Sequence, residues 1–101
     1  MRLLLKVTFP HEPFNSMQRD GTAGPTLTEI FESIKPETVY MTLNNGMRCA
    51  LCVVNVNSAS DYPKIAEPFF LKFEADIEYE ITMSLEELGA AGLEELGRRW
   101  G

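Results

Sequence analysis

From its first residues the chain alternates: Leu3, Leu5, Val7 and Phe9 fall on one side, Arg2, Leu4, Lys6 and Thr8 on the other. A period of two is the mark of a strand with one covered face, so Arg2–Phe9 is predicted as the first strand, ended by Pro10. Pro10–Pro25 has no such period, is rich in Pro, Gly, Asn and Asp, and reads as a long polar loop. The period then changes. Leu27, Ile30, Phe31 and Ile34 recur at i, i+3, i+4 and i+7, the stripe of a helix packed on one side. Thr26 is its expected N-cap, with Glu29 three residues on and Pro36 at the exit. Thr38–Leu43 and Arg48–Val56 read as strands joined by Asn44-Asn45-Gly46, because Asn-Gly takes up the positive φ angles of a tight hairpin turn.

Beyond a polar break at Asn57–Asp61, Pro63 suits a first helical turn, capped near Asp61 or Tyr62. Ile65, Ala66, Phe69, Phe70 and Phe73 make a second helical stripe, and Pro68 inside it predicts a kink or two short segments. Asp76–Met83 alternates again, with Ile77, Tyr79, Ile81 and Met83 opposite Glu78, Glu80 and Thr82. Ser84–Glu87 is a capping box that opens a terminal helix striped by Leu85, Leu88, Gly92, Leu96 and Trp100. Gly89, Gly92 and Gly97 each weaken that helix by about 1 kcal/mol relative to Ala. Leu85–Gly89 is echoed once at Leu93–Gly97, too short a repeat for a solenoid.

The order of elements is β-α-β-β-α-β plus a C-terminal helix. This predicts an α+β, ferredoxin-like sandwich over residues 1–101, one domain with an antiparallel sheet in the order 4-1-3-2. Both helical stripes should cover one sheet face. Its expected residues are Leu3, Leu5, Val7, Phe9, Val39, Met41, Leu43, Ile77, Tyr79, Ile81 and Met83, with Ala50, Cys52, Val54 and Val56 from the third strand, or its alternate set if the register differs. The other face mixes Leu4, Leu51 and Val53 with Lys6, Glu78 and Glu80, a surface that suggests a partner or a ligand. A second copy is the simplest partner, because two-fold dimers are the commonest oligomers.

Composition narrows the classes. At 101 residues one core suffices. A net charge of −6 disfavours nucleic acid and anionic membranes as partners. No apolar run has the length of a bilayer span, and Met1–Phe9 lacks the form of an export signal, so a cytoplasmic location is expected. The two cysteines, Cys49 and Cys52, are spaced C-x-x-C but lie in a strand, where residues three apart face opposite sides. Buried structural thiols are the expectation, and neither a metal site nor a cofactor is predicted.

The strand–helix order, the half-apolar second face and the C-terminal helix resemble the dimeric α+β barrel group of ferredoxin-like proteins. In that group two sheets pack face to face, with small-ligand pockets between sheet and helices. The segments Pro10–Asn15, Ala66–Phe70 and Gly92–Gly97 also resemble small uncharacterised bacterial proteins, a likeness that implies no activity. The barrel group spans monooxygenases, isomerases and binding proteins, so the resemblance selects no reaction.

Candidate chemistry lies in three places. His11, just after the first strand, has the residue type of a general acid or base, and Arg19 in the same segment could hold a carboxylate or phosphate. Lys6, Glu78 and Glu80 should meet across neighbouring strands, where Glu78 could take a proton. Tyr40 on that face could donate to a ligand oxygen. Against these stand plain alternatives: a surface histidine, a solvated loop, a salt bridge at a dimer seam and a packing aromatic. Arg98, Arg99 and Trp100 fit a cap on the protein's own core or, less simply, an anchor for a partner. The sequence therefore supports a homodimeric domain that binds a small organic molecule, with His11 and Glu78 as catalytic candidates and Lys6, Arg19, Tyr40 and Glu80 as ligand contacts. The alternative is a non-catalytic protein–protein interaction module whose second sheet face is only a dimer seam.

Overall fold

In a computed structural model that describes Met1–Gly101, the chain runs β1 (Arg2–Phe9), α1 (His11–Asp20), α2 (Ala23–Ile34), β2 (Thr38–Asn44), β3 (Met47–Asn55), α3 (Asp61–Phe73), β4 (Asp76–Ile81), α4 (Leu85–Gly89) and α5 (Leu93–Trp100). The strands form one four-stranded sheet in the order β2-β3-β1-β4, which is 4-1-3-2 counted from the β4 edge. Every neighbouring pair is antiparallel. The fold is α+β, and α1, α2 and α3 lie together on one face of the sheet.

The core is the meeting of the odd positions of β1 with the helical stripes. Leu3, Leu5, Val7 and Phe9 are fully closed from solvent. Opposite them in β3 stand Val54, Cys52 and Ala50, so the structure selects that register for the third strand. Phe9 is the hub: its ring lies 5.3 Å from Phe14, 6.1 Å from Phe69 and 5.1 Å from Phe73, each edge to face. Such pairs add about 0.5–1.5 kcal/mol beyond simple burial.

Five expectations need correction. Pro10–Pro25 is not a loop. Glu12 keeps an extended backbone (φ −110°, ψ 141°), Pro13 follows at the first helical position, and Gly21 closes the segment with φ 84°. Pro just inside a helix start and Gly just past its end is a favoured pairing, because Pro brings a helical φ and Gly tolerates the left-handed turn. The second helix starts at Ala23 behind Thr22 rather than at Thr26. Pro68 does not divide α3, which runs unbroken for 13 residues. Met41, Leu43, Ile81 and Met83, expected in the core, are exposed, because the three helices do not reach the far end of β2 or past Tyr79 in β4.

The fifth correction is the largest. The terminal helix is two helices, divided at Ala90–Gly92, where Gly92 takes φ 72°. Ser84 and Glu87 do form the capping box, each side chain meeting the other's backbone N–H at 3.0 Å. Yet α4 and α5 add nothing to the core of their own chain: every residue from Ile81 to Gly101 is exposed. Trp100 does not cap the core; it is 75 % exposed. The terminal arm stretches the molecule to 60 × 28 × 19 Å, with a radius of gyration of 17.2 Å. A compact chain of this length has about 13 Å.

Candidate functional site

The strand register lays out the open face as a grid. Its central row reads Tyr40 (β2), Leu51 (β3), Lys6 (β1) and Glu78 (β4), directly opposite one another across all four strands. One row toward the arm reads Thr38, Val53, Leu4 and Glu80, and the row on the other side reads Thr42, Cys49, Thr8 and Asp76. An apolar middle of Leu4, Leu51 and Val53 is thus bordered by an acidic column along β4, with Lys6 set among them. Four expected contacts, Lys6, Tyr40, Glu78 and Glu80, share this face.

These charges are not consumed within the chain. Its ion pairs are Arg2–Glu37 at 2.8 Å, Arg19–Glu12 at 3.4 Å and Arg98–Glu95 at 2.6 Å. None includes Lys6, Glu78 or Glu80. Tyr40 is 71 % exposed, so its ring is uncovered apolar surface.

His11 and Arg19 stand elsewhere. Both belong to α1, which buries Phe14 against the helix-covered face of the sheet. Glu78 projects to the opposite face, so one copy does not bring the two catalytic candidates together. Glu12, beside His11, is held below the usual carboxylate range chiefly by the Ser16 hydroxyl at 2.7 Å. Arg19 instead borders a shallow recess of about 380 Å³ with Asn15, Gln18 and Arg48. There the Arg48 guanidinium lies 4.2 Å over the Phe14 ring and donates to Asn15 Oδ1 at 2.8 Å. Arg48 was not among the sequence candidates. Its signal was a charge at a core-facing position of β3, in phase with Ala50 and Cys52.

A second recess, of about 680 Å³, opens where the arm leaves the sheet. Arg2, Val53 and Asn55 form its floor, and Met83, Ser84 and Glu87 its wall. The Thr82 hydroxyl donates to the Arg2 carbonyl at 2.9 Å and ties the arm's root to β1. Glu87 is held below the usual carboxylate range, first by the Ser84 backbone N–H, then by the Ser84 hydroxyl, with Arg2 and the amino terminus adding positive potential.

The two cysteines take opposite sides of β3, as strand geometry requires. Cys52 lies in the helix-side core, where burial pushes its thiol up to about 11. Cys49 is equally closed off, between Thr8 and Thr42 beneath the open face. Both are free thiols. No helix is long and apolar enough to cross a membrane.

No protein family matches the chain, and none of the curated proteins does. Among solved structures it is similar to a de novo designed protein, Ferredog-Diesel. The identity is 12 %, the TM-score 0.47, and the match covers 80 % of this chain and 85 % of that one.

Proposed function

We propose that this chain is a non-catalytic protein–protein interaction module that works by self-association, its open sheet face serving as a dimer seam. One observation carries the reading: from Leu85 to Gly101 no residue joins the chain's own core, leaving Leu85 87 % and Trp100 75 % exposed. Helices of five and eight residues are far below the dozen or so that a free helix needs in water, so they require a partner surface. The half-apolar open face, with Tyr40 71 % exposed, is the surface that a second copy would cover. Light scattering on a size-exclusion column tests it. The expected mass is twice the 11.4 kDa chain; the single-chain mass at every concentration overturns the proposal.

A second reading is favoured by the recess at the arm's root. Its volume of about 680 Å³ lies within the range of small-molecule sites, and it joins apolar Val53 and Met83 to charged Arg2 and Glu87. Under this reading the dimer binds a small organic molecule there. A bound metabolite would raise the melting temperature saturably by mass action. The absence of any such rise across a broad metabolite set removes this reading and leaves the first untouched.

A further inference from the structure

We infer that the open sheet face is covered by the terminal arm of a second copy of this chain, given and received reciprocally, so that two copies exchange arms; the inference rests on the self-association proposed above. It joins two surfaces that lack partners in a single copy. On the sheet, Leu4, Leu51 and Val53 form an apolar strip with Tyr40 beside it. On α5, Leu93, Leu96 and Trp100 recur at i, i+3 and i+7 and make one stripe.

The charges around the two strips correspond. Helical geometry puts Glu95 and Arg98 on the side of α5 away from the stripe, where they pair with each other at 2.6 Å. It puts Glu94 on that far side as well and leaves Arg99 on one flank of the stripe, joined to no carboxylate. The sheet offers its counterpart, the Glu80–Glu78–Asp76 column along one border of the apolar strip. A stripe laid on the strip sets Arg99 toward the acidic column.

The area agrees. The chain exposes 6997 Å². A compact protein of its mass exposes about 5,800 Å². Each copy thus carries about 1,200 Å² beyond that of a compact monomer, and two copies that hide it from each other bury about 2,400 Å², the size of a permanent dimer interface.

The arm's own sheet is the less suitable receiver. The arm leaves β4 through Thr82–Ser84, which the Arg2 carbonyl and the capping box both hold, and α4 then carries α5 away along the 60 Å axis.

The test uses full-length chains. One variant carries Leu51→Cys on the sheet, another Leu96→Cys on α5, and the two are mixed under mild oxidation, with buried Cys49 and Cys52 present in every sample. Exchange predicts a disulfide-linked species of twice the chain mass that needs both variants and is absent from either alone. It also predicts that Leu96→Asp weakens the dimer at least about 30-fold, as loss of a central contact does. The body's melting temperature in the dissociated chain stays unchanged, because α5 adds nothing to the core of its own copy. Arg99→Glu should likewise weaken the dimer, and adding Glu78→Arg should restore it. A dimer that yields no cross-copy disulfide and ignores Leu96→Asp overturns the exchange while self-association stands. A Leu51→Cys/Leu96→Cys chain that closes on itself at single-chain mass overturns it in favour of the arm's own sheet. A monomer at every concentration overturns both proposals and leaves the strip to a different protein.

Discussion

Both α3 and α5 carry an apolar stripe, but Phe69 and Phe73 of α3 are wholly closed from solvent, whereas Leu96 and Trp100 of α5 are 47 % and 75 % exposed. The helices differ in what the fold sets before them. The stripe of α3 meets Phe9, whose ring lies within 6.1 Å of Phe69 and 5.1 Å of Phe73. The stripe of α5 meets water. Amphipathic spacing therefore tells that a helix has a side to hide, and leaves open whether its own chain supplies the cover. In the body the demand is met within one copy; in the arm it is carried outward, which is the physical basis for assigning the arm to an interface.

The sharpest way to break this comparison is a matched pair of truncations. Phe9→Ala should cost about 3–5 kcal/mol of stability in a denaturant titration, since it empties the hub of the aromatic cluster. Leu93→Ala, read under dilution where chains are dissociated, should leave that titration within about 0.5 kcal/mol of the parent. A larger loss from Leu93→Ala would mean that the arm belongs to the body's cooperative unit. The next effect is local. Ser84→Ala removes the cap of α4, worth about 1 kcal/mol, and should speed amide exchange at Glu87 without shifting the melting of the body.

The smallest effect is acid sensitivity. Asp61 accepts the backbone N–H groups of Asn57 and Ser58 at 2.9 and 3.1 Å, which hold its carboxyl below the usual range. Asp20 is lowered in the same way by the Thr22 hydroxyl and backbone N–H, at 2.6 and 2.9 Å. A carboxyl lowered on folding contributes fully above its unfolded value and loses that contribution as the pH falls through the lower folded one. Body stability should thus decline from about pH 4 downward, and Asp61→Ala should flatten part of that decline in a series of melts. Glu87 has the same sign, but its titration should register mainly in the helicity of α4, because the Ser84 contacts that lower it most lie at the arm's root and Arg2 and the amino terminus add less. A matching shift in the body's melting temperature on Glu87→Gln would couple the two regions.

Much of the body was legible because its signals are local and agree with one another. The alternation of Leu3, Leu5, Val7 and Phe9, the Asn45-Gly46 turn and the Ser84–Glu87 box each appear in the structure at the expected place. The segment that became α1 was misread because Pro10 and Pro13 resemble loop punctuation, although Pro13 occupies a helix start. The corresponding clues were Phe14 and Met17, three residues apart, and Gly21 beyond them. Of the candidate site, the cross-strand group Lys6, Tyr40, Glu78 and Glu80 followed from period and register. The separation of His11 and Arg19 from that group did not, because the side of the sheet taken by α1 depends on where Phe14 finds a cavity.

By itself the sequence determined the strands, the hairpin, the helical stripes and the cap, since each rests on residues within a few positions of one another. Only the tertiary structure decided that Phe14 seats α1 on the helix-covered face, that Met41 and Leu43 lie beyond the helices, and that the Leu93–Trp100 stripe is left without cover. Those outcomes depend on the finite area of three helices laid on a four-stranded sheet: they close Phe9, Phe69 and Phe73 into the core and leave Met41, Leu43 and the stripe of α5 outside it.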